Sequence, residues 1–311
     1  MTRVLLFVAL TGVTIAAQGQ QPVFRGVGDN VPVYVTVTDK DNRLVPGLTR
    51  EDFQVLDNGR AQPLTVFDNT PQPVRIIVML DVSGSMEGNL PLLRASCEQL
   101  FTRLQAADLA RVGTFGHDIV ISPTFTNNVG ELRAALPAEI ARDAPTPLWK
   151  GLIEAMGAFT GNDTRRVVLV LSDGKDAPGI RKFGEKFISQ LDVVDRALRD
   201  EVMIYAIGLR SRGIGGMPMG SGGLGAMLSE DLPDPALGTV ALETGGGYFE
   251  IKPRDDLGAA FARVVDELHS QYLMGFAPPS RDGKRHRIDV KLTGKDLKPR
   301  ARKNYVAPAE K

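Results

Sequence analysis

The amino-acid sequence predicts an α/β protein: a doubly wound, mostly parallel sheet plus a small β unit built from the N- and C-terminal segments. Three observations lead there. Continuous apolar runs of strand length recur at "RIIVML" (75–80), "VVLVLS" (167–172) and "VMIYAIGL" (202–209), the pattern of strands buried on both faces. The stretches between them carry apolar residues at i, i+3 and i+4, the spacing of amphipathic helices. Both ends of the chain switch to a period-2 alternation, which belongs to strands with one wet face.

Residues 1–18 read as a signal peptide. "MTR" is a positive leader, "VLLFVALTGVTIAA" an apolar core, and Ala16–Ala17 a small-residue cleavage point. The apolar core is too short for a membrane span. The expectation is an exported protein, periplasmic or secreted. Cys97 is the only cysteine and lies outside the signal, so neither lipidation at the cleavage site nor an internal disulfide is expected.

Residues 22–72 form the N-terminal β unit. Val31, Val33, Val35 and Val37 alternate with Pro, Tyr and Thr, and Asn58–Gly59 separates two apolar runs, a strong signal for a hairpin with a primed turn. Thr49 and Asp52 between them suggest a capped helical turn. The α/β domain then runs over residues 74–272. One helix carries Leu93, Cys97, Leu100, Phe101 and Leu104; "ARVGTFGHDIVISPTF" holds two strands around Gly116–Asp118. Further helices carry Leu148, Leu152, Met156 and Phe159, then Phe187, Leu191, Val194 and Leu198, and finally Leu257, Phe261, Val264, Val265 and Leu268. In the last strands, residues 273–308, Ile288, Val290 and Leu292 alternate with charged residues. Neither end has enough strands to close a core alone, so the two are expected to pack together.

Composition narrows the function classes. Of 311 residues, 43% are hydrophobic, and 37 basic residues balance 37 acidic ones. No basic excess exists to grip nucleic acid or an anionic membrane. The stretch "KDLKPRARK" (295–303) reads as a solvated strand edge.

Two of the apolar runs end in aspartate, at Asp81 and Asp173. In a 3-2-1-4-5-6 sheet order the first and fourth strands are neighbours at the reversal point, about 4.8 Å apart, where such sheets bind ligands. Two carboxylates placed there repel, and a divalent cation between them removes the conflict. Ser83 and Ser85 follow Asp81 at alternate positions and can face the same point, and Thr146 in "TPLWKGL" could add a hydroxyl from a separate loop. An all-oxygen set selects a hard ion, Mg²⁺ ahead of Mn²⁺ or Ca²⁺. The competing readings are a polar turn for Asp81, Ser83 and Ser85 and a helix N-cap for Thr146.

At these residues the chain resembles the von Willebrand factor A domain, whose metal-ion-dependent adhesion site has the form Asp-x-Ser-x-Ser, then Thr, then Asp. The resemblance implies that Ser83 and Ser85 bind the metal directly and that Thr146 does so directly or through water. It also implies that Asp81 and Asp173 act largely through water and that a carboxylate of a protein partner fills the remaining position. The flanks "VTDKDNRLVPGLTREDFQVLDNG", "SQYLMGF" and "RARKNYVAP" resemble exported, acidobacterial-type relatives of that domain. One departure is "DAPTPLW" (143–149), where prolines flank Thr146 and Pro147 suits the first helical position.

The expected function is therefore a non-enzymatic, metal-dependent adhesion or protein-interaction module. The alternatives are a metal-stabilised structural component of an envelope complex and a Mg²⁺-dependent hydrolase, the latter opposed by the lack of a general base. Other features read blandly. "GSGGLG" (220–225) sits in the Gly/Met-rich loop 211–228 rather than between a strand and a helix, and is expected to be a surface loop. His117, His269 and His286 are expected at the surface or at helix ends, Trp149 in the core, and Asp176 in a solvated turn. Asn162 opens a glycosylation sequon without expected use.

Overall fold

The computed structural model describes residues 30–160, 165–173, 175–179, 184, 186–210, 233–252, 255–294 and 296–310. The signal segment, the sequon and the loop with "GSGGLG" lie outside these residues.

The N-terminal strands are β1 (Val31–Thr38), β2 (Phe53–Asp57), β3 (Arg60–Gln62) and β4 (Val66–Asp68). The β2–β3 hairpin turns through Asn58 and Gly59, both at positive φ (47° and 81°), as a type I′ turn requires. Before β2, the short helix Arg50–Asp52 is closed by a reciprocal Thr49–Asp52 capping box.

The central strands follow: β5 (Val74–Asp81), β6 (Leu109–Phe115), β7 (Ile119–Ile121), β8 (Arg165–Ser172), β9 (Val202–Leu209) and β10 (Tyr248–Ile251). They form one sheet in the order β10-β9-β8-β5-β6-β7, parallel except for the edge strand β7. This is the expected doubly wound order, with β5 at the reversal point between β6 and β8. Residues of β5 alternate between two cores. Ile76, Val78 and Leu80 pack with the helices Leu90–Phe101 and Leu257–His269. Ile77 and Met79 pack with the helices Leu148–Gly157, Gln190–Arg199 and Pro235–Glu243.

The C-terminal strands are β11 (Tyr272–Phe276), β12 (Arg285–Leu292), β13 (Lys298–Arg300) and β14 (Asn304–Val306). They interleave with the N-terminal ones in two four-stranded antiparallel sheets, β13-β1-β11-β4 and β14-β12-β2-β3. Val33, Val35, Val55, Met274, Phe276 and Ile288 fill the core between them.

Three expectations need correction. Phe187 and Leu191 do not line a buried face but are 56% and 67% exposed. The Ser189–Asp192 capping box starts that helix at Gln190, and its buried stripe is Val193, Val194, Ala197 and Leu198. His286 is not at the surface; it is buried on β12, with Nδ1 3.0 Å from Asp57 and Nε2 3.3 Å from Asp282. The basic stretch is not simply a solvated edge, because Arg300 reaches inward to the buried Glu267 carboxylate. Both cases rest on partners distant in sequence. His117 at the surface, His269 at a helix end and Trp149 in the core lie where the sequence puts them.

Candidate metal centre

The carboxyl ends of β5 and β8 carry the candidate site. The parallel register pairs Leu80 with Leu171, which brings Asp81 level with Ser172. Period-2 alternation puts both on the face of Ile77 and Met79, covered by the helix Leu148–Gly157. Asp81 is fully buried. Its Oδ1 accepts the Ser83 N–H at 2.8 Å, and its Oδ2 accepts a short bond from the Ser172 hydroxyl. Asp173, also buried, accepts the Ser85 hydroxyl through Oδ1 at 2.8 Å, and the Ser83 and Ser85 hydroxyls lie 3.2 Å apart. Asp81, Ser83, Ser85 and Asp173 thus form one hydrogen-bonded series across two strands. Ser85 is its exposed member, so the series opens to solvent on that side.

One atom of the series is unsatisfied. Asp173 Oδ2 is buried and has no hydrogen-bond partner among the described residues, a state that costs about 1–3 kcal/mol, and more for a charged group. Burial also pushes both carboxyls up. Asp81 rises to about 6 despite the bonds from Ser172 and Ser83, with a further contribution from the charge of Asp173. Asp173 rises too, for want of solvent and against the Ser85 bond. Two carboxylates that resist ionisation, flanked by hydroxyls, are what a hard cation would stabilise. The donor set present fits a Mg²⁺-type ion.

The sequence between the donors fixes the loops. Gly84 donates its N–H to Ala144 O at 3.3 Å, and a Cβ at Gly84 would stand 1.8 Å from the Arg142 carbonyl oxygen. The serine loop therefore lies directly against the loop that leads to Thr146, and only glycine permits that approach. Gly84→Ala is expected to force the two loops apart, with a cost of about 1–3 kcal/mol from overpacking. A fall in the urea-unfolding midpoint, together with weakened Mg²⁺ binding, would check this; an unchanged Mg²⁺ response would show that the spacing is not needed.

Thr146 is fixed from its other side as well. It exchanges two backbone bonds with Ala177, N–H to O at 2.9 Å and O to N–H at 2.8 Å, which tie its loop to the chain just beyond Asp173. The capping expectation is corrected here. Pro147, not Thr146, occupies the N-cap position of Leu148–Gly157. The orphan N–H groups of that helix turn to Asp176, whose Oδ1 accepts the Trp149 N–H at 3.2 Å. Asp176 is therefore a helix cap rather than a solvated turn residue, and burial raises its carboxyl. The series Asp81–Ser83–Ser85–Asp173 is joined by side-chain bonds, and Thr146 joins it through its loop's backbone. Sequence reasoning assigned no role to Ser172, which holds Asp81; the signal was a hydroxyl at the end of an otherwise apolar strand.

Among the described residues no group of three or more His, Cys, Asp or Glu is placed to hold a metal. The candidate differs in kind, having two carboxylates and neighbouring hydroxyls. Comparison with known proteins then bears on the fold around it. Residues 76–224 match the model of the von Willebrand factor type A domain. Over that segment, just under half of the chain, the protein is similar to the VWA domain. Similar solved structures include the conserved hypothetical protein BatB from Bacteroides thetaiotaomicron, 14% identical over 63% of this chain and 98% of that one, with a TM-score of 0.46. A von Willebrand factor type A protein from Catenulispora acidiphila is 11% identical, covering 93% of this chain and 76% of that one, with a TM-score of 0.48. The ArnB paralog VWA2 from Sulfolobus acidocaldarius is 14% identical over 91% and 77%, with a TM-score of 0.45. No curated protein matches the chain. VWA domains generally serve as protein-interaction modules and are mostly non-catalytic. Among the described residues no helix is long and apolar enough to cross a membrane.

Proposed function

We propose that this VWA domain is an exported, cation-dependent protein-binding module. Mg²⁺ would be held by Ser83 and Ser85, with Thr146 beside them and Asp81 and Asp173 as the charge that retains it; Mn²⁺ or Ca²⁺ would be the substitutes. The bound ion would supply a positive centre that a carboxylate of a protein partner can meet. The protein's own residues prepare that meeting. Ser172 and the Ser83 N–H hold the Asp81 carboxylate in one orientation. Ser85, exposed and hydrogen-bonded to Asp173, stands where the partner would arrive.

The observation that carries this reading is the unpartnered, buried Asp173 Oδ2 beside a second buried carboxylate. A buried carboxylate oxygen without a partner is uncommon in a polar turn that merely closes two strands. Export rests on the signal-like residues 1–18.

Thermal unfolding of the full chain in EDTA, then across a MgCl₂ series at constant ionic strength, tests the site. A ligand that binds the folded state alone stabilises it by about 2.7 kcal/mol at a hundredfold excess over Kd. A rise of that size, growing with the logarithm of the Mg²⁺ concentration above Kd, is expected with Mg²⁺ and not with Na⁺. A melting temperature indifferent to Mg²⁺, Mn²⁺ and Ca²⁺ would end the metal reading.

A further inference from the structure

An open groove of about 490 Å³ lies beside the candidate metal centre, at the turn between β6 and β7. It borders three of the loops that carry the oxygen donors. Gly116 lines it and stands so close to Val82 that a Cβ there would lie 2.9 Å from Val82 Cγ2. Val82 separates Asp81 from Ser83. Pro145 and Pro147 flank Thr146, and Asp176 follows shortly after Asp173. The helix Leu148–Gly157 contributes Lys150 and Glu154, and the segment before the helix Gln190–Arg199 contributes Lys186, Phe187 and Ile188. The volume falls within the range of about 300–1,000 Å³ typical of pockets that hold ligands.

The wall mixes two chemistries. Ile119, Pro145, Pro147, Pro178 and Ile188 give it a largely rigid apolar surface, with Phe187 at 56% exposure beside them. Asp118, Glu154 and Asp176 give it carboxylates. Among the described residues neither Asp118 nor Glu154 has a cationic partner. Of the two lysines that face these carboxylates, Lys186 is paired with Asp192 at 3.4 Å, outside the groove. Negative charge therefore prevails, and a cleft lined by one sign of charge concentrates its field on what enters.

We propose that this groove takes an arginine side chain of the partner protein, carried within a few residues of the carboxylate that meets the metal. The position of that carboxylate rests on the function proposed above; the chemistry of the groove does not. Arginine uses both parts of the wall. Its aliphatic stem lies along the prolines and Ile119, and its weakly hydrated guanidinium brings five donors to the carboxylates. Lysine is a strongly hydrated point charge and gains less from apolar surroundings. A second acidic residue would be repelled by Asp118 and Glu154. Charge alone thus sets the register, with the acid on the cation and the base in the groove.

A displayed peptide library with one fixed aspartate between randomised flanks, selected on the full chain in Mg²⁺ and in EDTA, tests this. In Mg²⁺, arginine should be enriched at one spacing from the aspartate. The best such peptide should bind the double variant Asp118→Asn, Glu154→Gln about tenfold more weakly than the wild type, as the loss of two exposed ion pairs implies. The same peptide with arginine replaced by glutamine should not distinguish the two proteins. Selection without arginine, or no selection at all, overturns the proposal. So does an arginine peptide indifferent to the double variant. The metal reading fails separately: arginine peptides selected equally in EDTA, and weakened by the double variant, keep the groove and remove the cation from recognition.

Discussion

Asp81→Asn is expected to abolish the Mg²⁺ response and, in the same protein, to make the metal-free fold more stable at neutral pH. The two effects have one cause. Burial raises the Asp81 carboxyl from 3.8 to about 6, so the folded state binds this proton more tightly than the unfolded chain does. The stabilisation that results is fully present below about pH 4 and is lost as pH rises through about 6. A shift of about two units corresponds to about 3 kcal/mol, which the metal-free wild type forgoes above that window. Asparagine keeps both hydrogen bonds of Asp81, accepting from the Ser83 N–H and donating to the Ser172 hydroxyl, and has nothing to titrate. In urea unfolding with EDTA, wild-type stability should fall between pH 4 and 6 more steeply than that of Asp81→Asn, with Asp173 adding a residual slope of the same sign. With Mg²⁺ at pH 7.5 the order should reverse, and capture of a partner by Asp81→Asn or Asp81→Ala should drop at least a hundredfold. A variant that still responds to Mg²⁺ would remove Asp81 from the site.

That coupling was partly legible without coordinates. "RIIVML" and "VVLVLS" read as buried strands because each holds five consecutive apolar residues, and both run into aspartate. Neighbouring placement then followed from the connection rules of parallel sheets. What local pattern could not supply was competition between partners. A helix cap is the competing reading of Thr146, because threonine often caps a helix whose first residue is proline. Asp176, thirty residues further on, takes the helix N–H groups instead. His286 and Arg300 looked wet for a similar reason: the residues that bury them, Asp57 and Glu267, are remote in sequence. Phe187 and Leu191 fit helical spacing with Val194 and Leu198, but the Ser189 cap rotates the stripe away from them. The helix Pro235–Glu243 went unread although Asp234 and Pro235 stand in N-cap and first-turn positions; its nine residues are too few for periodicity to speak.

Deleting residues 275–311 is expected to unfold strands β1 to β3 while β5 and β8 stay folded. The truncation removes β12, β13, β14 and the end of β11. It leaves β2–β3 as an isolated hairpin, which is marginal in water. It strips β1 of its β13 pairing and leaves Val35 and Tyr272 at the end of a shortened ladder with β11. Phe276, Ile288, Val290 and Tyr305 leave the core with it, and each large apolar side chain lost from a core removes about 2–5 kcal/mol. The total exceeds what so small a β unit can hold. Hydrogen exchange should therefore show amides of Val33, Val35 and Val55 exchanging as in an unfolded chain, with Ile77 and Val168 still protected. The central sheet should also weaken, because Glu267 loses Arg300 and keeps Arg263 as its cation. Arg300→Met separates the two contributions: it removes the ion pair, leaves every strand in place, and should lower the stability of the central sheet without releasing β1. Protection of the Val33 and Val55 amides in the truncated chain would mean that the N-terminal strands close a core by themselves.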